Sequence, residues 1–281
     1  MNTSGIPKTY KLFIGGKFPR TESGRILEIR DAKGDLLANA SRASRKDFRN
    51  SVVAARKAAA AWAKSTAYLK GQIFYRIAEM LDGRSEQFVS ESVAFGFSPE
   101  KAKADVDEAI DLLVHYAGWS DKYQALFSSV NPVASSHFNF SSPQAQGVVG
   151  VVAPTAGNLA GLVSAIAPAL IGGNVVVVLA GENALSAISF AEVLATSDIP
   201  AGVVNFLTGY RDELVPEFVK HMDVNGVLLC SNNAAEQKAA ELESAENLKR
   251  IALHSDKALA RSPYHILDFQ EIKTTWHPVG V

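Results

Sequence analysis

The sequence is poor in cysteine, in unbalanced charge and in long apolar runs, and each shortage removes a class of function. Cys230 is the single cysteine in 281 residues, so no internal disulfide can form and no multi-cysteine metal site exists. No metal-ligand set is read from the sequence. Lysine and arginine total 28 against 29 acidic residues, for a formal charge of -1. A surface that tracks phosphates needs a basic excess or stripe, so nucleic acid and anionic membranes are excluded as expected partners. The nearest approach to a stripe, Arg42, Arg45, Lys46 and Arg49, is interrupted by Asp47 and reads as the solvated start of a helix. Glycines and prolines cut the central apolar stretches well short of the ~20 residues a membrane span needs. The opening MNTSGIPKTYKLF has no signal-like apolar core. The expectation is a soluble, cytoplasmic protein. No long linker, internal repeat or low-complexity tract is visible.

What is present has ordinary globular proportions, 47% hydrophobic and 20% charged, and enough chain for one large or two modest cores. LFIGGKF and ILEIRDAKGD read as short strands, with Gly15-Gly16 suited to a two-residue hairpin turn. Ser44 can cap a helix in which Phe48, Val52, Val53, Ala55, Ala59 and Trp62 recur at helical spacing. A second helix is expected over 67–91, with Ile73, Ile77, Met80 and Leu81 inward. A third starts at Pro99 and runs to about Gln124. Residues 128–146 are rich in Ser, Pro and Asn, and the alternation in SHFNFS suggests a strand of a projecting hairpin.

From residue 147 the texture changes. Five β-branched and apolar runs follow: GVVGVVAP, NVVVVLA, GVVNFLTG, VNGVLLC and KRIALHS. Helix-compatible stretches separate them. Continuous apolar strands imply burial on both faces, hence a parallel sheet covered by helices, with right-handed crossovers. The fold class is α/β, a doubly wound Rossmann-like sheet. The tail FQEIKTTWHPV at 269–279 reads as one more strand. It comes too soon after the fifth run to follow another crossover, and is expected to pair with the hairpin near residue 138.

The order GVVGVVAP, IAPALIGGNVVVV, IPAGVVNFLTG resembles the cofactor-binding half of the aldehyde dehydrogenase family. LFIGGKF, SGRILEIRDAKGDLLA, VVAARKAAAAWA and LLVHYAGWSDKY resemble its N-terminal segment, so the likeness runs to about Leu253. QEIKTTWHPV resembles the family's extreme C-terminal strand. The resemblance implies a cofactor-binding-type domain over 1–128 and 147–262 and a β-flap for oligomerisation over 129–146 and 263–281. Between these the catalytic domain has no counterpart, as in the degenerate second module of two-module relatives.

The same resemblance allows the chemistry to be tested by position. Aldehyde oxidation needs a thiolate nucleophile, an oxyanion donor, a glutamate base and a nicotinamide acceptor. The nucleophile's place lies in the missing domain, and Cys230 reads as a buried filler closing the fourth strand. The oxyanion asparagine is replaced by Ala156 within Pro154-Thr155-Ala156-Gly157-Asn158, leaving Asn158 to cap the next helix. Where the family has its Glu-Leu-Gly-Gly pattern, this chain has His254-Ser255-Asp256-Lys257, and His254 reads as a hydrogen-bonded structural histidine. No catalytic residue is assigned.

The cofactor positions are Pro154, Thr155, Glu182, Ser231 and Asn232. Leu179 replaces the ribose-binding lysine, and Ser231-Asn232-Asn233 replace the Gly-Ser helix start on which a pyrophosphate would rest. No cofactor is expected, or NAD bound weakly at most. His137, Phe138, Phe140, Ile272, Thr274 and Trp276 are the expected oligomerisation residues. The sequence therefore reads as a non-catalytic structural or regulatory subunit. Its partner is another copy or a full-length aldehyde dehydrogenase. The alternatives are an NAD(P)-dependent aldehyde oxidoreductase and a nucleotide-binding sensor.

Overall fold

The computed structural model describes residues 8–31, 33–155, 158–180 and 184–280. A small sheet opens the chain, with strands β1 (Thr9–Tyr10), β2 (Ile26–Arg30) and β3 (Leu36–Ser41) in the order β1-β3-β2. The Gly15-Gly16 hairpin forms between β1 and β2: Ile14 and Lys17 exchange backbone hydrogen bonds of 2.9 and 3.1 Å. Both glycines hold positive φ, 60° and 74°, the requirement of a primed turn.

Ser44 caps α1 (Arg45–Lys64) in a reciprocal box with Asp47. Phe48, Val52, Ala55, Ala59 and Trp62 form its buried face, while Val53 faces solvent. The single helix expected over 67–91 is two helices, α2 (Ala67–Asp82) and α3 (Ser85–Phe95). Gly83 stands at the C-cap of α2. Glycine costs about 1 kcal/mol in a helix interior, and the apolar period continues across this break, which hides it. Next, α4 (Pro99–Trp119) carries Ser98 as cap and Pro99 in its first turn. It ends at Trp119 rather than near Gln124, and the short α5 (Tyr123–Phe127) follows.

The flap strands are β4 (Ser129–Asn131) and β5 (His137–Ala145). Then come β6 (Val148–Val152), α6 (Leu159–Ile171), β7 (Val175–Leu179), α7 (Ala184–Ala195), β8 (Val204–Leu207), α8 (Arg211–Lys220), β9 (Gly226–Cys230), α9 (Ala234–Ala245) and β10 (Arg250–His254). The five strands from β6 to β10 form one parallel sheet in the order β10-β9-β6-β7-β8. Every residue of β6, β7, β8 and β9 is buried, as their unbroken apolar runs require. α1 and α8 pack on one face, and α6 sits on the other under α2 and α4. The β8 edge is covered: Phe13 and Phe206 exchange hydrogen bonds of 3.0 and 2.7 Å, so the Gly15-Gly16 hairpin blunts that edge. β10 is the opposite edge and is only half-buried.

After β10, α10 (Tyr264–Leu267) leads into β11 (Gln270–Pro278). β11 pairs antiparallel with β5 from Gln270 opposite Ala145 to Pro278 opposite His137, giving a third sheet ordered β11-β5-β4. The tail thus pairs where the sequence placed it. Its base is anchored in the core. Ile266 and Phe269 are buried, Asn174 Nδ2 donates to the Phe269 carbonyl at 3.0 Å, and Gln270 Nε2 donates to the Gly172 carbonyl at 2.9 Å. Among the described residues, no helix is long and apolar enough to cross a membrane.

Candidate functional site at the strand ends

In the sheet order, β6, β7 and β8 run outward one way, and β9 then starts on the other side of β6. The crevice beyond the C-terminal ends of β6 and β9 is therefore the topological switch point, where open α/β sheets place ligands. A cavity of about 560 Å³ lies there, lined by Thr155 after β6, Arg211 and Asp212 opening α8, Ser231, Asn232 and Asn233 after β9, Glu236 in α9, and Asp256 after β10.

The rim is closed by its own side chains. The Asp256 carboxylate accepts from both the amide and the hydroxyl of Thr155. The Asp256 amide donates to Asn232 Oδ1 at 3.0 Å. Arg211 meets the Glu236 carboxylate through Nε and Nη2, at 3.2 and 3.0 Å. Its remaining donors reach the carbonyls of Ala153 (3.2 Å) and Cys230 (2.9 Å), at the ends of β6 and β9. Burial raises the Glu236 carboxyl, but hydrogen bonds from Arg211 and Ser231 outweigh it and hold the group below the usual carboxylate value. Asn233 Oδ1 accepts from the amides of Ala235 and Glu236 at 3.0 and 3.3 Å, so these amides at the start of α9 already have an acceptor.

These contacts decide what the crevice can hold. An incoming diphosphate wants free amides and unpaired cations. It would meet three carboxylates, Asp212, Glu236 and Asp256, and one guanidinium already committed to Glu236 and two backbone carbonyls. Among the described residues, those lining the crevice do not fit that group.

The residues singled out by sequence are brought together only in part. Thr155, Ser231 and Asn232 line the crevice. Pro154 is buried beneath it, 3.7 Å from the Cβ position of Gly161 in α6. Glu182 lies outside the described residues, as do Ala156 and Gly157. Asn158 occupies the N-cap position of α6 but does not cap it with its side chain. Asp105 of α4 does so, accepting from the amides of Leu159 (3.0 Å) and Ala160 (3.3 Å), while Asn158 Nδ2 donates to Ser92 Oγ. A carboxylate reaching from another helix is a better partner for two N-terminal amides than a local amide. Burial pushes the Asp105 carboxyl up to about 6 despite these bonds.

Cys230 is fully buried, and burial pushes its thiol up to about 12, the nearby Arg211 only partly opposing. This burial fits a core filler better than a reactive thiolate. His254 Nε2 faces the Asp268 carboxylate at 3.3 Å.

Sequence reasoning missed Arg211, Glu236 and Asp256 as the groups that close the rim. One signal was available. An arginine in the first turn of a helix opposes the macrodipole, and such a residue is retained where a specific partner holds it.

The flap residues divide by strand alternation. Register puts His137, Ile272, Thr274 and Trp276 on one face and Phe138 and Phe140 on the other. His137 and Trp276 rings stand 5.8 Å apart, and Phe138 and Phe140 rings 5.7 Å apart. Thr274 Oγ1 and Ser141 Oγ share a 2.8 Å hydrogen bond. Phe138, Ile272 and Trp276 are 45%, 56% and 57% exposed, so both faces offer apolar surface.

Comparison with known proteins agrees with this architecture. The family model described as "Aldehyde dehydrogenase family" matches residues 18–258. Aldehyde dehydrogenase, cytosolic 1, of Elephantulus edwardii is 28% identical over 272 residues, covering 90% of this chain and 54% of that protein. Retinal dehydrogenase 2 of Mus musculus is 27% identical over 253 residues, covering 88% and 48%. The NAD+ complex of aldehyde dehydrogenase from Bacillus cereus superimposes with a TM-score of 0.83 at 26% identity, covering 88% of this chain and 50% of that one. The chain spans about half the length of the curated relatives it matches. With the parallel sheet, the switch-point crevice and the matched segment all in agreement, this chain belongs to the aldehyde dehydrogenase family.

Proposed function

We propose that this chain is a non-catalytic docking subunit of its family, joining a second copy of itself through the β11-β5-β4 flap. The observation that carries the reading is a contrast. The polar groups lining the crevice are already paired with one another, Asp256 with Thr155 and Glu236 with Arg211, while the flap exposes Phe138, Ile272 and Trp276. The outer edge of β11 has no strand partner among the described residues. The exposed part of that edge, residues 271–278, suits antiparallel addition of the same strand from a second copy, a two-fold, self-complementary contact.

Light scattering on the size-separated chain tests this. A dimer or larger assembly is expected, dissociated by Phe138→Asp or Trp276→Asp with unchanged far-UV circular dichroism. The two positions lie on opposite faces, so the variant that acts identifies the covered one. A strictly monomeric chain that also captures no co-expressed full-length family member would overturn the reading. NAD, which the Bacillus cereus relative is described as binding, should give no saturable heat in calorimetry up to about millimolar, given the acidic rim.

The relatives' dehydrogenase names support a second reading, NAD-linked aldehyde oxidation. It predicts aldehyde-dependent NADH formation that disappears in Cys230→Ala. The burial of Cys230 weighs against it.

A further inference from the structure

We propose that His254, His265 and Asp268 form a binding site for a divalent transition-metal ion of the zinc class. The three residues converge from separate places: His254 ends β10, His265 lies in α10, and Asp268 stands between α10 and β11. Asp268 Oδ2 is 3.3 Å from His254 Nε2 and 3.3 Å from His265 Nδ1. All three donor atoms lie within 4.8 Å of one another.

These separations are long for imidazole–carboxylate hydrogen bonds, which when charge-assisted fall at about 2.7–2.9 Å. The two Asp268 separations also match the edge of a coordination tetrahedron. With metal–ligand bonds of about 2.0–2.1 Å, neighbouring ligand atoms stand about 3.3–3.4 Å apart. The two imidazole rings are 74° apart in plane with centroids at 5.0 Å, an edge-on contact rather than a stack. Without an ion, the same Asp268 oxygen accepts from both rings. A metal ion needs one lone pair from each of the three groups, and here the three ligand atoms all lie within 4.8 Å of one another.

The donor set selects the ion. Two imidazoles and one carboxylate suit Zn²⁺ and its neighbours Co²⁺ and Ni²⁺, whereas Mg²⁺ and Ca²⁺ prefer all-oxygen shells. The side chains of His254, His265 and Asp268 are 25%, 18% and 28% exposed. That leaves an entry path and room for water as a fourth ligand. Arg250, which opens β10, lies beside the cluster and donates to the Asp268 backbone carbonyl at 3.4 Å. Its guanidinium donates to the Gln270 carbonyl at 2.6 Å and pairs with Glu271 at 3.3 Å. A bound ion would staple the edge strand of the main sheet to the turn that launches β11. The site involves neither the strand-end crevice nor the exposed flap faces.

Titration calorimetry of the metal-free full chain tests the assignment, with ZnCl₂ as probe and MgCl₂ as control. One saturable Zn²⁺ per chain is expected, with no Mg²⁺ binding. Loss of groups that merely orient ligands already costs 10–100-fold in affinity, so His254→Ala and His265→Ala should each weaken Zn²⁺ by at least about tenfold. His277→Ala, in β11 outside the cluster, should leave binding unchanged. A readout without variants guards against misfolding: Zn²⁺ should protect His254 and His265, but not His277, from diethyl pyrocarbonate, as read by peptide mass. Absence of stoichiometric Zn²⁺ binding, equal weakening by His277→Ala, or equal modification of His254 and His265 with and without Zn²⁺ would overturn the proposal.

Discussion

Gly226 and Phe269 offer a sharp test of how the tail is seated. Gly226 opens β9, and a Cβ built on it would stand 2.7 and 2.9 Å from two carbons of the Phe269 ring. Real side chains do not approach so closely, so Gly226→Ala must displace the ring. Overpacking of this kind costs about 1–3 kcal/mol. Phe269 is buried, and Phe269→Ala should cost about 3–5 kcal/mol in lost burial and cavity. In the double variant the new methyl enters space the ring has left, and the ring's share of its penalty disappears, leaving only the 2.9 Å approach to the flexible end of Gln146. The double variant should therefore be more stable than the sum of the singles by about 1–3 kcal/mol. Urea unfolding followed by circular dichroism gives the four stabilities of the cycle. Because Phe269 immediately precedes β11, hydrogen exchange in Phe269→Ala should accelerate over 270–278 before it does in β6 or β7. Additivity within about 0.5 kcal/mol would refute the close approach on which this reasoning rests.

The Asp105 carboxyl is raised to about 6 by burial, above its unfolded value. The folded state therefore holds a proton that the unfolded chain has released. Its contribution is fully present below about pH 4 and is lost as pH rises through about 6, a decline on the order of 3 kcal/mol at most. Asp105→Asn should flatten that part of the stability–pH curve in urea titrations. Arg211→Ala strands the half-buried Glu236 carboxylate and two strand-end carbonyls and should cost about 2–4 kcal/mol in the same assay. Cys230, buried with its thiol pushed up to about 12, should resist iodoacetamide at neutral pH in the native chain and react once urea unfolds it.

The sequence by itself determined the elements and most of their order. Five unbroken apolar runs announce strands buried on both faces. Gly15-Gly16 announces a turn with positive φ, and Ser44 with Asp47 announces a helix start, because each of these signals is local. The helix break at Gly83 was hidden because the apolar period runs through it. Asn158 was read as a cap because it sits at the right place along the chain. Asp105, 53 residues earlier in the numbering, meets those amides instead, and only the packing of α4 on α6 brings it there.

Tertiary structure alone decided both chemical clusters. Arg211, Glu236 and Asp256, which follow β8, β9 and β10, meet at the crevice beyond the ends of β6 and β9. His265 and Asp268 are three residues apart, but His254 joins them only because the chain after β10 packs α10 on α6 and brings it back beside the end of β10. Periodicity records how deeply a residue is buried within its own element. Which ends of distant elements face each other is set by how the chain crosses over, and no spacing along the sequence carries that information.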